Sequence, residues 1–495
     1  MGLMKKVVII GAGPGGLSSA MILAHKGYDV SIYESKSHIG GRNSALKAGD
    51  FSFELGPTFV MLPKAFEEAF MLAGRDMKQC LDFKELPEMY RLHYANGRDF
   101  HVYFDKQKIE QEIVRLFPDD AGSYARFRAS QKIKFDRLYK CLTVPYMKPY
   151  NYFRLKLLKA LSTMDLGKSV HDVLSRYFKN EDLKIAMSFQ AKYLGMSPWD
   201  CPGAFTILSY IEHEFGIYHP MGGVHKICEA MGKVAVENGA KIFIDSPVKR
   251  IVIEGKKTTG IELSDRTMVE ADHVIMNADF AHGMLNLFSA EERGKYNEKN
   301  LKSKKYSCST FMLYLGLDKK YDMPHHNIFF SADYKKNVDQ IFKEKIIPED
   351  PSFYIQNASV TDPSLAPEGM STIYVLVPAP NLSGAYVDWK IEKQKLRDKI
   401  IGLIKERTEM KDIEDHIVVE RAITPAEWES EMSVHNGAVF NLAHSLDQML
   451  YLRPHNRLEG YENIYLVGGG THPGSGLPTI VESGRIAASL IEGRV

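Results

Sequence analysis

The chain has 495 residues, of which 44% are hydrophobic and 25% charged, with a formal net charge of +1. That length exceeds what one compact core serves and implies two or three domains, while the balanced charge excludes a general nucleic-acid binder. The five cysteines (Cys80, Cys141, Cys201, Cys228, Cys308) are scattered and form no C-x-x-C. They exclude a disulfide framework and a zinc site, no metal is expected, and a reducing, cytoplasmic setting is favoured.

In chain order, Lys5-Lys6 lead into Val7-Val8-Ile9-Ile10, an apolar run fit for a buried parallel strand. Gly11-Ala12-Gly13-Pro14-Gly15-Gly16 follows, then an apolar-periodic stretch to Gly27, then a second strand, Val30 to Tyr33, closed by Glu34. A G-x-G-x-x-G loop between strand and helix, with an acid at the end of the next strand, is a dinucleotide fingerprint. Gly11 permits the tight turn, Gly13 lets the backbone approach a pyrophosphate, and Gly16 lets helix and strand pack closely. The helix N-terminus offers free N–H groups to the phosphates, and Glu34 would accept from ribose hydroxyls. The two lysines before the run imitate a secretion signal, but the glycines interrupt it and it continues into the fingerprint. No apolar stretch approaches the length of a membrane span, so any membrane contact is expected to be peripheral.

Beyond Glu34 stand Gly40-Gly41-Arg42 and Gly56-Pro57-Thr58. A second glycine turn carrying an arginine just after the first βαβ unit resembles the G-G-R element of FAD enzymes of the amine oxidase and carotenoid desaturase type. In those enzymes the arginine and the glycine amides reach the FAD pyrophosphate.

Further on, helical spacing covers residues 63–73, and strands at 90–94 and 100–104 flank Ala95-Asn96-Gly97-Arg98 as a hairpin. Residues 106–200 read as helical, with Pro118-Asp119-Asp120 as a helix start. From Arg126 to Ala160 ten Lys or Arg face one acid, Asp136, with Phe127, Phe135, Tyr139, Tyr146, Tyr150, Tyr152 and Phe153 interleaved. That composition fits an interfacial membrane patch as well as it fits a solvated basic face with aromatics turned to the core. Residues 204–219 are apolar and line a core or pocket. A helix over 224–238 and strands at 241–244, 248–253, 260–263 and 271–276 follow. Strands at 311–317, 353–355 and 373–377 and a helix over 392–405 then form a second, α+β unit. The chain closes with a strand at 463–467, the glycine-rich loop Gly468 to Pro478 and a helix from Thr479 to Ile491. Its N-terminus is placed to stabilise negative charge on a reduced ring system. His325-His326 are not read as metal ligands, because neighbours on a strand point to opposite faces.

Taken together, the chain resembles the bacterial-type carotenoid desaturases, the phytoene and diapophytoene desaturases. The resemblance rests on the fingerprint with Gly40-Gly41-Arg42, on Phe53 to Thr58, Phe215 to Gly223, His325-His326-Asn327 and Thr361 to Gly369. It rests further on Val377 to Pro380, Arg453 to Asn456 and Thr471 to Pro478. It departs from the family at Gly476-Leu477-Pro478-Thr479, where glycine often follows the proline. The resemblance implies an α/β fold: a discontinuous Rossmann-like FAD-binding domain at 1–60, 220–290 and 455–495, and an α+β substrate domain at 61–105 and 291–454. A helical, membrane-facing insertion would cover 106–219. FAD would be the sole redox cofactor, held by Gly11, Gly13, Gly16, Glu34, Gly40, Gly41, Arg42, Gly56, Thr58, Val248, Asn277, Gly470, Thr471, Ile480 and Val481. The substrate would be a linear C40 or C30 polyene drawn from the bilayer by an enzyme peripheral on the inner face of the membrane. Oxygen or a quinone would take the electrons. No catalytic base is evident; His472 and Glu482 are candidates by motif position, against plainer readings as a loop hydrogen-bonder and a helix-dipole partner. Asp136, Arg137 and Arg154 are further candidates at the substrate mouth. Two other activities fit the scaffold, a carotenoid terminal oxidase and an amine oxidase. The final loop carries no cysteine for a covalent flavin. A non-catalytic prenyl-lipid-binding protein is a third alternative, against which the intact glycine and acid set argues.

Overall fold

The structure is a computed structural model that describes residues 4–142, 144–145 and 159–494. The apolar run at the N-terminus forms the strand Lys6–Ile10, which lies at the centre of a five-stranded parallel sheet. Asp29–Tyr33 and Lys241–Phe243 extend the sheet on one side, and His273–Met276 and Ile464–Leu466 on the other. The register aligns Val8 with Ser31 and with Val274. Parallel strands are covered on both faces, which is why Val7 to Ile10 carry no alternation.

Helices Pro14–His25, Lys226–Glu237 and Leu477–Ile491 cover one face. The first and last of these cross so closely that a Cβ on Gly484 would lie 2.3 Å from the Gly15 carbonyl oxygen. Ser18 and Ser19 stitch the crossing, their hydroxyls donating to the carbonyls of Val481 (2.9 Å) and Gly484 (3.0 Å). On the opposite face lie the helix Phe280–Leu287 and a three-stranded antiparallel sheet of Val248–Glu254, Lys257–Leu263 and Met268–Glu270.

A second, seven-stranded sheet runs in the order Ile417–Ile423, Ser309–Leu317, Ser371–Ala379, Phe353–Gln356, His326–Phe329, Glu88–His93, Asp99–Tyr103. All its pairings are antiparallel except that of His326–Phe329 with Glu88–His93. Alternation divides its faces. Phe311, Leu313, Leu315, Ile373 and Val375 pack against the helix Trp389–Arg407 through Leu396, Ile400 and Ile404. Met312, Tyr314, Tyr354 and Tyr374 face the other way, toward Phe51, Phe53 and Leu55.

The helical region between residues 106 and 219 is less regular than the sequence suggests. Pro118–Asp120 makes a single tight turn, and the long helix begins at Ser123. Asp120 is fully buried instead, accepting from the amides of Lys179 (2.7 Å) and Asn180 (2.9 Å). Part of the basic and aromatic stretch turns inward. Phe127 packs on Phe178, Phe135 on Tyr139 and Phe215, and the Lys134 ammonium is buried on Asp165 at 2.7 Å. Arg126, Lys132, Ile133 and Arg137 are exposed on the same helix. Tyr146, Tyr150, Tyr152, Phe153 and Arg154 lie outside the described residues. No helix among the described residues is long and apolar enough to cross a membrane.

Candidate functional site

The glycine loop adopts the conformation its residues permit. Gly11 has φ +95°, a region that a Cβ makes costly, and its N–H donates to the Tyr33 carbonyl at 2.8 Å. Gly13 caps the helix Pro14–His25 with no side-chain hydrogen bond and no acid in the first turn. The positive end of the helix is therefore left to an external anion. A Cβ on Gly16 would fall 2.5 Å from the Gly11 oxygen. Asn277, at the end of the strand His273–Met276, donates from Nδ2 to that same oxygen at 2.9 Å, and its side chain fills the space beside Gly13, Gly15 and Gly16.

Glu34 closes the second strand almost fully buried. Its carboxylate accepts from the amides of Ala12 (2.7 Å) and Lys36 (2.9 Å), which ties the acid to the loop. Ser246 donates its N–H to the Glu34 carbonyl at 2.8 Å, so Val248, two residues on, enters its strand beside the acid. Gly40 (φ +110°) donates to the Ala12 carbonyl at 2.8 Å and joins the second glycine turn to the first. A Cβ on Gly56 would lie 2.6 Å from the Arg42 oxygen, so the chain around Thr58 returns to the same place.

Arg42 is half-buried, and its guanidinium donates to the Val439 carbonyl at 2.5 Å. Burial lowers its pKa, with the Asp279 charge opposing. Burial likewise raises the Asp279 pKa, with Arg42 opposing. Asn441 bridges to this acid, Nδ2 to Oδ2 at 2.6 Å, and a Cβ on Gly470 would strike the Asn441 side chain at 2.5 Å. Thr471 donates from Oγ1 to the Gly468 carbonyl at 3.0 Å. A Cβ on Gly15 would meet the Gly468 nitrogen and the Ile480 oxygen, both at 3.3 Å, while Val481 is packed against the first helix through its carbonyl. Thus the loops at 11–16, 40–42, 56–58, 277–279 and 468–471 and the start of the last helix converge on one cradle.

Arg453 stands behind the final loop, 1% exposed. It donates to the carbonyls of Gly469 (2.6 Å) and Thr471 (3.0 Å), and burial pushes its pKa down to about 9. Three tyrosines from neighbouring strands of the second sheet hold the Leu55–Thr58 segment. Tyr314 donates to the Leu55 carbonyl (2.6 Å), Tyr374 to that of Gly56 (2.8 Å), and Tyr354 to Thr58 Oγ1 (3.0 Å). Sequence reasoning missed Asp279, Asn441, Arg453 and all three tyrosines. Arg453 did stand in a motif that carries the resemblance, whereas the tyrosines lie on three separate strands and show a shared face only once those strands are paired.

His472 is buried, its N–H donating to Pro454 and its carbonyl accepting from Asn456 Nδ2 at 2.8 Å. Glu482 pairs with Arg485 in its own helix, Oε2 to Nε at 2.7 Å, and burial raises its pKa against that pairing. Asp136 pairs with Lys132, and Arg137 reaches Ser162 on the surface. His325 and His326 correct the expectation of opposite faces. His325 precedes the strand, so alternation does not apply to it, and the two rings meet edge-on at 4.4 Å. They have the hydrogen-bonding role expected of them, to Thr361 and Tyr354.

The cradle fits a flavin dinucleotide by its own geometry. It has glycines where a Cβ would fill it, an uncapped helix end, and a buried acid, Glu34, tied to the glycine loop. Asn43 Oδ1 and Ser44 Oγ lie buried beside it without hydrogen-bond partners among the described residues.

Comparison with known proteins agrees with this geometry. A 4,4'-diapophytoene desaturase (4,4'-diapolycopene-forming) of Methylomonas sp is 46% identical over 98% of this chain and 95% of its own length. A zeta-carotene-forming phytoene desaturase of Myxococcus xanthus is 34% identical over 98% and 94%. Among solved structures, an oxidoreductase from Methanosarcina mazei superposes with a TM-score of 0.63 at 20% identity, covering 98% of this chain and all of that one. That likeness speaks for the fold alone. Residues 14–491 match the model of one family throughout, and the chain belongs to the flavin containing amine oxidoreductases.

Proposed function

We propose that this protein is an FAD-dependent desaturase of linear polyenes, phytoene or its C30 counterpart diapophytoene, in carotenoid biosynthesis. The observation that carries the reading is 46% identity, over 98% of the chain, to a diapophytoene desaturase, in a chain whose dinucleotide cradle is intact. Bound FAD would supply the hydride acceptor.

The chain's own residues would bind, orient and exclude water. The amides at the start of the helix Pro14–His25 and the Gly40–Arg42 turn would take the pyrophosphate, and Glu34 the ribose, with Val248 beside the adenine. Gly56, Thr58, Asn277, Gly470, Thr471, Ile480 and Val481 would surround the rest of the cofactor. Residues 1–60, 220–290 and 455–495 make up its domain in this reading, and the seven-stranded sheet supplies the floor of the substrate site. The exposed Arg126, Lys132 and Arg137, with Ile133 between them at 53% exposure, support a peripheral contact with an anionic bilayer. Oxygen or a quinone would reoxidise the cofactor.

The test is co-expression with a phytoene supply and, separately, a diapophytoene supply, reading pigments by absorbance and mass. Products lighter by successive pairs of hydrogens are expected. A product carrying an added oxygen would make the protein a terminal oxidase. A colourless protein that changes neither feed would refute the reading and leave lipid binding.

A further inference from the structure

The helix Ile207–Phe215 carries a carboxyl group, Glu212, that is 0% exposed. Its Oε2 accepts from Gln190 Nε2 at 2.7 Å and from the Tyr90 hydroxyl at 3.2 Å. Its Oε1 is buried and makes no hydrogen bond of ordinary geometry, with the Tyr193 hydroxyl beside the carboxyl, and no cation pairs with it among the described residues. A carboxyl left this way costs stability that a hydrophobic residue would not, so its presence calls for a chemical reason.

Two features supply one. First, Glu212 stands one aromatic layer behind the cradle. Phe59, which follows Thr58, packs on Tyr90 (6.2 Å between centroids) and on Tyr193 (5.3 Å), whose hydroxyl lies beside the same carboxyl. His326 closes the other side of Phe59 at 4.1 Å. Second, a file of exchangeable groups leads away from Glu212. The Tyr90 hydroxyl is 3.4 Å from His213 Nε2, and His213 Nδ1 is 2.9 Å from the Tyr124 hydroxyl. The Arg128 guanidinium sits 5.6 Å from the Tyr124 ring, and Arg128 pairs with Glu214, which also holds Lys106 at the surface.

We propose that Glu212 takes up the proton that the polyene loses on desaturation, handed across the aromatic layer by the Tyr193 hydroxyl, and passes a proton outward through Tyr90, His213 and Tyr124. The proposal rests on the desaturase reading. One C–H bond breaks with its pair leaving as hydride to FAD. The neighbouring C–H bond breaks with its pair becoming the new π bond; its proton goes to the Tyr193 oxygen as the Tyr193 proton goes to Glu212, and the carboxyl group turns to give a proton to Tyr90 as Tyr90 gives its own to His213. A proton then leaves the file at Tyr124, on the Glu214 side.

The electrostatics agree. Burial raises the Glu212 pKa to about 7, with the bonds from Gln190 and Tyr90 and the neighbouring Tyr193 hydroxyl opposing, and a base is most effective near its working pH. Burial, helped by Arg128, lowers His213 to about 3, so the imidazole stays neutral, with one N–H and one lone pair to relay through. The titratable groups around the acid are Tyr90 on its strand and Tyr193 on its turn, with His213 and Tyr124 behind Tyr90 and Tyr354 beyond Tyr193. Burial raises all four phenols, so none is charged at neutral pH.

The test mixes FAD-loaded protein anaerobically with diapophytoene in liposomes and follows flavin bleaching. Glu212→Gln should keep wild-type flavin content and circular dichroism yet reduce its flavin about 100-fold more slowly. The wild-type rate should rise through about pH 7, and the variant's should not. Glu212→Asp, which keeps the carboxyl, should retain the pH dependence at a lower rate. Independently of turnover, infrared difference spectra of the wild type across neutrality should show a protonated carboxyl band that titrates near pH 7. Wild-type bleaching rates in Glu212→Gln, or no such carboxyl, would overturn the proposal and leave the desaturase reading standing. A wild type that binds flavin but bleaches with neither diapophytoene nor phytoene would overturn both.

Discussion

Asp362 offers the sharpest energetic test of how the two halves of the molecule are joined. Its carboxylate is 1% exposed and ties the Tyr218–Pro220 strand and its following turn to the Ala358–Leu365 loop. Oδ2 accepts from His219 Nε2 (3.1 Å) and the Gly222 amide (2.5 Å), and Oδ1 from the Ser364 hydroxyl (2.6 Å) and amide (3.2 Å). Burial alone would raise its pKa, but the bonds from His219, Ser364 and Gly222 outweigh it and hold the group well below the ordinary carboxylate range. Asp362→Asn keeps the shape and supplies one acceptor oxygen instead of two. Its amide N–H groups must face donors on one side, so two of the four bonds are lost. Hydrogen bonds to a charged group contribute about 1.5–3 kcal/mol each, and the Ser364 hydroxyl can rotate to accept, so the expected loss is about 3 kcal/mol. Because the folded-state pKa is depressed, the contribution is complete above the unfolded value of 3.8 and fades as pH falls below it. Urea unfolding followed by tryptophan fluorescence should therefore give the same difference between wild type and variant at about pH 8 and about pH 5. A difference under about 1 kcal/mol, or one that changes across that range, would refute the reasoning.

The opposite pH behaviour is expected at Glu212. Its folded-state pKa is raised from 4.5 to about 7, a penalty of about 3 kcal/mol that is fully present above pH 7 and vanishes below 4.5. Glu212→Gln should then be more stable than wild type by about 3 kcal/mol near pH 8 and by about 1 kcal/mol near pH 5, and a pH-independent difference would contradict the shift. At the helix crossing, Gly484→Ala puts a Cβ against the Gly15 oxygen, which as backbone cannot yield, and should cost about 1–3 kcal/mol with loss of bound flavin. Its counterpart Gly402→Ala lies in the helix Trp389–Arg407 with nothing within 4 Å and should stabilise by about 0.5–1 kcal/mol with flavin retained, as read by flavin-to-protein ratio and melting temperature.

Local pattern carried most of the element assignments. The strand, loop and helix at 6–25 are contiguous, and alternation or its absence told Asp99–Tyr103 from Lys6–Ile10. Glycines marked the cradle because their need is local: a positive φ at Gly11 and Gly40, a close approach at Gly16 and Gly56. What stayed hidden depends on pairings across long separations. Tyr314, Tyr354 and Tyr374 share a face only after three strands are set in register. Glu212 stands beside His213 and Glu214 in a segment otherwise apolar, and no local rule tells that it, rather than Glu214, is the buried acid. For His325-His326 only the opposite-faces argument failed, because the strand rule was applied one residue before the strand begins.

The crossing of the first and last helices also bears on how the protein is made. Ten of the twelve residues of the helix Pro14–His25 are buried, partly under a helix that ends at Ile491. The central strand of the parallel sheet likewise waits for the strands beginning at His273 and Ile464. At ribosomal speeds of about 5–20 residues per second, an apolar helix and an unpaired strand edge stay uncovered for roughly half a minute or more. The nascent chain thus exposes apolar surface until the helix Leu477–Ile491 emerges, and the cradle is complete for the cofactor only then. Chains cut short before the last helix would leave that surface bare and go to proteolysis rather than persist as a stable N-terminal fragment.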